Sequence, residues 1–176
     1  MIDTQAQSRR AITMAETVVS TLIVGLVLVA TIQIIAPVVR SGSVMADKAI
    51  AANLARELSD EIATKYFTSP ILKDVESMGA AIGETRATYD DIDDYLGINN
   101  NPPQLSDGTP MTDLGAWTRS VSVVHADINN PSTDAPSYTG LKRVTVTVSK
   151  DGVRLAQIQT LHAHAADQLG FVLQEP

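Results

Sequence analysis

Residues 17–39 contain no charged side chain, and nearly all of them are apolar. About 20 apolar residues in a helix cross the hydrocarbon core of a bilayer, so this run has the length of a membrane helix. Arg9 and Arg10 stand just before it, which favours a cytoplasmic N-terminus. Glu16 is the one charge embedded at the start of the run. After Arg40-Ser41-Gly42-Ser43 the pattern changes. Ile50, Leu54, Leu58 and Ile62 recur every fourth position beside Ala51 and Ala55, while Lys48, Arg56, Asp60 and Lys65 lie off that stripe. This spacing predicts an amphipathic helix over residues 44–65, with its apolar stripe packed on a soluble domain. It continues the apolar segment, so the two together predict one long N-terminal helix.

Further along, the period shortens. Residues 66–83 read as a connector with a short helix near 71–78. The turn-rich stretches 99–103 and 106–110 extend an irregular region up to the first clear strand. Alternation starts at Trp117 and runs through Val121 and Val123 to His125. A polar loop with Pro131 and Pro136 follows. Val144, Val146 and Val148 then alternate with Thr145, Thr147 and Ser149. Asp151-Gly152 is a tight-turn signal, and residues 153–164 return as the second arm of an antiparallel hairpin. The expected fold is α+β: a long helix packed across a small antiparallel sheet of at least three strands.

Composition narrows the function classes. The net charge is −7, and the only adjacent basic pairs are Arg9-Arg10 and Lys142-Arg143. Without a basic patch to neutralise phosphates, nucleic-acid binding is not expected. There is no cysteine, which rules out disulfides, lipid attachment at Cys and Cys-ligated zinc. Aromatic content of 4% argues against a large aromatic-lined cleft. No Gly-rich phosphate loop, G-x-S-x-G or H-E-x-x-H motif occurs, so neither an enzyme nor a cofactor is expected.

Two groups of side chains have ligand chemistry. Asp90, Asp91, Asp93 and Asp94 form the densest carboxylate group. Such oxygen-rich clusters suit Ca²⁺, although the spacing is not that of an EF-hand loop. The competing reading is a solvated acidic turn whose side chains cap backbone amides. His162 and His164 share one face of a strand, and His125 could complete a zinc set. Histidines on a strand are also ordinary.

The N-terminus carries the most specific pattern. A secretory signal peptide has an apolar region of about 7–15 residues ending at small residues, and the run here is longer. An ordinary signal anchor fits the length but leaves Glu16 unexplained. Arg9-Arg10-Ala11 followed by Ile12-Thr13-Met14-Ala15-Glu16 resembles the N-terminal signature of type IV pilins and type II secretion pseudopilins. In that family a prepilin peptidase removes a short basic leader. The new N-terminus is apolar and often methylated, and Glu is its fifth residue. The resemblance implies a leader at 1–11 and a cut between Ala11 and Ile12. It implies a transmembrane and assembly helix at 12–39 and a soluble periplasmic or extracellular domain at 40–176. Glu16 would pair with the Ile12 amine of a neighbouring copy. Ala11 departs from the family's preferred Gly and Ile12 from its common Phe.

The segments Asp90 to Tyr95, Pro102 to Pro110, Trp117 to Arg119 and Val144 to Val148 look like the minor pseudopilin type. The implied role is that of a structural filament subunit, single-pass in the inner membrane with its N-terminus cytoplasmic. Its implied partners are the prepilin peptidase, other pilin or pseudopilin subunits and an inner-membrane assembly platform. The alternative is a single-pass anchored protein whose soluble domain binds a partner or ligand. An anchored enzyme is a third reading.

Overall fold

The computed structural model describes residues 13–70 and 78–165, with side chains described outside 34–41. Ala11, Ile12 and most of the connector helix expected near 71–78 therefore lie outside the described residues. Both predicted helical halves fall on one element, α1 (Met14–Ala63), of 50 residues. Gly42 and the serines beside it do not break it, since one glycine costs only about 1 kcal/mol of helix propensity. The chain forms two compact units, the first ending at Met45 and the second beginning at Ala46.

In the first unit, Met14–Gln33 is long and apolar enough to cross a membrane, and none of it is buried. Its threonine hydroxyls are satisfied within the helix. Thr17 donates to the Met14 carbonyl at 2.8 Å, Thr21 to Thr17 at 2.9 Å and Thr31 to Val27 at 2.7 Å. Such internal bonding is what an apolar surrounding demands of polar groups.

In the second unit, α1 buries Ala51, Leu54, Ala55, Leu58 and Ile62 in the core. Ile50, expected on the buried stripe, is 40% exposed, and Ala51 takes the inner position. A strict four-residue repeat drifts round a helix of 3.6 residues per turn, so one end of the stripe leaves the contact. The sheet has four strands: β1 (Asn99–Asn100), β2 (Trp117–His125), β3 (Leu141–Lys150) and β4 (Val153–Ala163). They lie in chain order, each antiparallel to the next. Asp151 and Gly152 both have positive φ, at 50° and 78°, as a two-residue hairpin turn requires. The predicted β2 and the β3–β4 hairpin are thus present, and the α+β class holds. β1 was not foreseen, because an Asn-Asn pair has no apolar alternation to announce it.

The inner sheet face carries Trp117, Val121 and Val123 from β2 and Val144, Val146 and Val148 from β3. Two cations of these strands share that inner face. Arg119 is 1% exposed and Lys142 is fully buried. Arg119 donates to the Leu54 carbonyl of α1 at 3.4 Å and to the Gln104 carbonyl. Arg119 lies in the inward phase of Val121 and Val123, and these carbonyl partners satisfy its charge there.

The helix–sheet contact has a direct test on the full chain. Leu58 is fully buried, whereas Asp60 is exposed. Leu58→Asp is expected to cost several kcal/mol and to abolish the cooperative melting transition of the second unit. Asp60→Ala is expected to leave it within about 0.5 kcal/mol. A Leu58→Asp protein that melts like wild type would show that the contact contributes nothing.

Candidate functional site

Glu16 occupies the first turn of α1 and is exposed. Its backbone N–H donates to the Thr13 carbonyl at 3.0 Å and to the Thr13 hydroxyl at 3.3 Å. Thr13 is therefore the N-cap, and Thr13-x-x-Glu16 has capping-box spacing. The helix dipole also favours a carboxylate in this turn. Sequence reasoning passed over this local role, although the spacing announces it. The Glu16 carboxylate itself remains on the surface.

The four aspartates do not act together. Two backbone bonds fasten their segment to the end of α1. Tyr66 donates to the Asp90 carbonyl at 3.1 Å, and Ile92 donates to the Tyr66 carbonyl at 3.0 Å. Within the segment, Asp94 Oδ2 accepts the N–H groups of Asp90 and Asp91 at 2.9 and 3.1 Å. Asp91 Oδ1 accepts those of Asp93 and Asp94 at 2.7 and 3.2 Å. Asp93 Oδ2 instead takes the Lys142 ammonium at 2.5 Å, and Lys142 also donates to the Phe67 carbonyl. The amide-capping reading thus describes Asp91 and Asp94. The turn is not solvated, however: Asp91, Asp93 and Asp94 are all buried. Burial is forced because the neighbouring Ile92 and Tyr95 belong to the core.

One carboxylate group has ligand geometry among the described residues. Oxygens of Glu84, Asp90 and Asp94 lie within 4.8 Å of one another and could hold a divalent cation. Glu84 sits apart in sequence and was not foreseen. Two members have competing work, since Glu84 accepts the Ala81 N–H at 2.7 Å and Asp94 caps two amides. Burial pushes Asp90 up, with help from the Asp94 charge. The Ala81 bond lowers Glu84, but burial and the charges of Asp94 and Asp90 raise it overall. For Asp91, burial dominates and the charges of Asp94 and Asp93 add to it. Two backbone N–H bonds oppose the rise, and the carboxyl titrates at about 6.

Glu61 links the same region to α1. It accepts the Tyr95 hydroxyl and an Arg86 N–H, each at 2.7 Å. Arg86 also stacks over the Tyr95 ring at 4.8 Å. Burial, then the Glu61 bond and charge, keep the Tyr95 phenol protonated far above neutral pH.

The histidines do not converge on a zinc site. His125 and His162 both pair with Lys142, from β2 and β4, so a buried ammonium lies between their positions. His162 Nε2 lies 3.0 Å from the Thr160 hydroxyl. His164 Nδ1 lies 2.6 Å from the Tyr138 hydroxyl, and its ring stacks on Phe67 at 5.2 Å. Beside them is an open cavity of about 290 Å³ lined by Met78, His125, Pro136, Ser137 and Tyr138.

Compared with protein-family models, curated proteins and solved structures, the chain finds no match.

Asp91 gives a pH prediction. Its folded pKa of about 6 exceeds the ordinary 3.8. The folded state therefore holds this proton more tightly than the unfolded chain. Its contribution to stability falls as pH rises through that window. Asn at this position keeps the amide-accepting oxygen and removes the buried charge. Asp91→Asn is expected to be more stable than wild type at pH 7.5 by about 1–2 kcal/mol. The gap should close near pH 4. Thermal melts from pH 4 to 8 measure it, and equal stability at pH 7.5 would contradict the assignment.

Proposed function

We propose that this chain is a structural subunit of a type IV pilus-like or type II secretion filament, of the minor pilin or pseudopilin kind. The observation that carries the reading is α1 itself. Its Met14–Gln33 segment is wholly exposed and apolar, with Glu16 as its one charge. Its later residues bury a stripe in an α+β unit. An apolar surface of that size is stable only in a bilayer or against similar helices.

Glu16 makes the second surrounding specific. A carboxylate costs roughly 2.5–3.5 kcal/mol at the bilayer centre on insertion scales, and less near the edge. Cleavage between Ala11 and Ile12 would create an amine at Ile12. That amine and the Glu16 carboxylate of an adjacent subunit are each costly alone and much less so together. The pair fixes the axial register of one helix against the next. On this reading the prepilin peptidase processes the chain in the inner membrane, and an assembly platform adds it to the filament. The domain beyond the helix is periplasmic, carries no cofactor and catalyses no reaction.

A second reading is a single-pass anchored protein whose domain binds a partner or ligand. The cavity beside His125 and Tyr138 favours it.

The mature N-terminus separates the two. Co-expression with an active prepilin peptidase is expected to remove residues 1–11, read by mass spectrometry. Ala11→Gly should keep or speed the cut, and a bulky residue at 11 should block it. An unprocessed chain beside an active peptidase would leave only the anchored reading. Glu16→Ala should still insert in the membrane, being more apolar, but should fail to enter filaments. Normal incorporation of that variant would show that Glu16 does not set the register.

A further inference from the structure

The two edges of the sheet are unlike. β1 is two residues long, so it offers almost no edge. β4 is eleven residues long, and among the described residues its only strand partner is β3. It contains no proline, and Arg154 is its one formal charge. Natural sheets usually blunt such an edge with short strands, prolines, bulges or charges. Here the devices are Arg154 and a bulge, both at the start of β4. Val148 pairs with Ala156 and Ser149 with Arg154, leaving Leu155 as the extra residue. From Ala156 to Ala163 the edge is regular.

The direction of its backbone groups follows from the pairing. His164 donates to the Gly140 carbonyl at 3.0 Å, so that pair is hydrogen-bonded. Antiparallel pairs alternate, and the β3–β4 register then directs Ile158 and Thr160 toward β3. Gln157, Gln159 and Leu161 therefore aim their N–H and C=O groups away from the sheet. All three are exposed. Only another extended backbone matches donors and acceptors at that spacing.

The sequence of this edge indicates which backbone. Leu155-Ala156-Gln157-Ile158-Gln159-Thr160-Leu161 reads nearly the same in both directions about Ile158. We propose that β4 pairs antiparallel with β4 of a second copy of this chain, about a two-fold axis at Ile158, joining two four-stranded sheets into one. In that register Gln157 meets Gln159 of the second copy in a hydrogen-bonded pair, and the regular pairing runs from Ala156 to Thr160, ending before the bulge at Leu155. Ala156 meets Thr160, and the two Ile158 side chains meet on the inner face beside the core. The contact is isologous, the same strand on both sides, so it closes at two copies. It belongs to the unit beginning at Ala46 and does not depend on filament assembly.

The absence of cysteine makes the test clean. Ile158→Cys is introduced into the full chain in detergent micelles and oxidised mildly. Two residues in a non-hydrogen-bonded pair have Cα atoms roughly 4.5 Å apart, within reach of a disulfide. A covalent dimer is expected. Thr118→Cys, on the opposite face of β2, is expected to stay monomeric. Gln159→Pro removes one outward N–H that the sheet does not use, a position where an edge strand tolerates proline. In the Ile158→Cys background it should leave the melting curve in place while cutting dimer formation on the order of tenfold or more. Three results would overturn the proposal. One is a folded Ile158→Cys chain that does not cross-link. Another is equal cross-linking of Thr118→Cys. The third is a dimer unaffected by Gln159→Pro, which would be held elsewhere.

Discussion

The Glu61 carboxylate is the point on which the second unit depends. It lies near the end of α1, and each of its oxygens accepts one bond from the irregular region beyond, from Arg86 and from Tyr95. Among its described residues that region has little regular structure of its own: three single-turn 3₁₀ helices and the two residues of β1. It cannot satisfy its backbone by ladders, so side chains hold it. Arg119 fixes it from the sheet by bonding the Leu54 and Gln104 carbonyls together, helix on one side and loop on the other. Lys142 does the same further along, joining Asp93 to the Phe67 carbonyl under the Phe67 ring. Removing one member of such a buried set leaves a charge uncompensated, typically at 3–5 kcal/mol. The interior is therefore fixed by direction as well as by volume.

This polar interior explains what could be read in advance. The two halves of α1, the β3–β4 hairpin and its Asp151-Gly152 turn were all legible, because each depends on period and turn chemistry within a few residues. The contacts of Arg119 and Lys142 were not. Both share the phase of the inward valines, Arg119 with Val121 and Val123 and Lys142 with Val144 and Val146, so alternation places them inside, but the partners that satisfy them there lie far along the chain. The aspartates were legible as a group but not in their roles. Asp91 and Asp94 cap each other's neighbours, Asp93 serves Lys142, and Asp90 joins Glu84, which no local spacing connects to them. The Ile50 expectation failed for a smaller reason, the drift of a four-residue repeat round the helix.

Burial of the aspartates has a cost that the segment carries continuously at neutral pH. Asp91 titrates near 6 because burial outweighs the two amides it accepts. An Asn could make the same two bonds without that cost. The Glu84–Asp90–Asp94 group adds further like charge within 4.8 Å. The loop is thus held by hydrogen bonds against its own electrostatics, and acid or a cation would relieve it.

The helix faces a comparable conflict along its length. From Met14 to Gln33 it must present apolar surface, so its threonines turn their hydroxyls onto their own backbone. From Ala51 to Ile62 it must present apolar groups on one side only, so Leu54 and Leu58 face the core while Arg56 and Glu57 face water. Glu16 belongs to neither pattern. Helix capping accounts for a carboxylate in the first turn, because Thr13 begins the helix three residues earlier. The positive end of the helix dipole accounts for its charge, which an uncharged Gln would not supply. Among the described side chains of the first unit there is no cation, so within those residues the helix end alone offsets the cost of a carboxylate beside an apolar run.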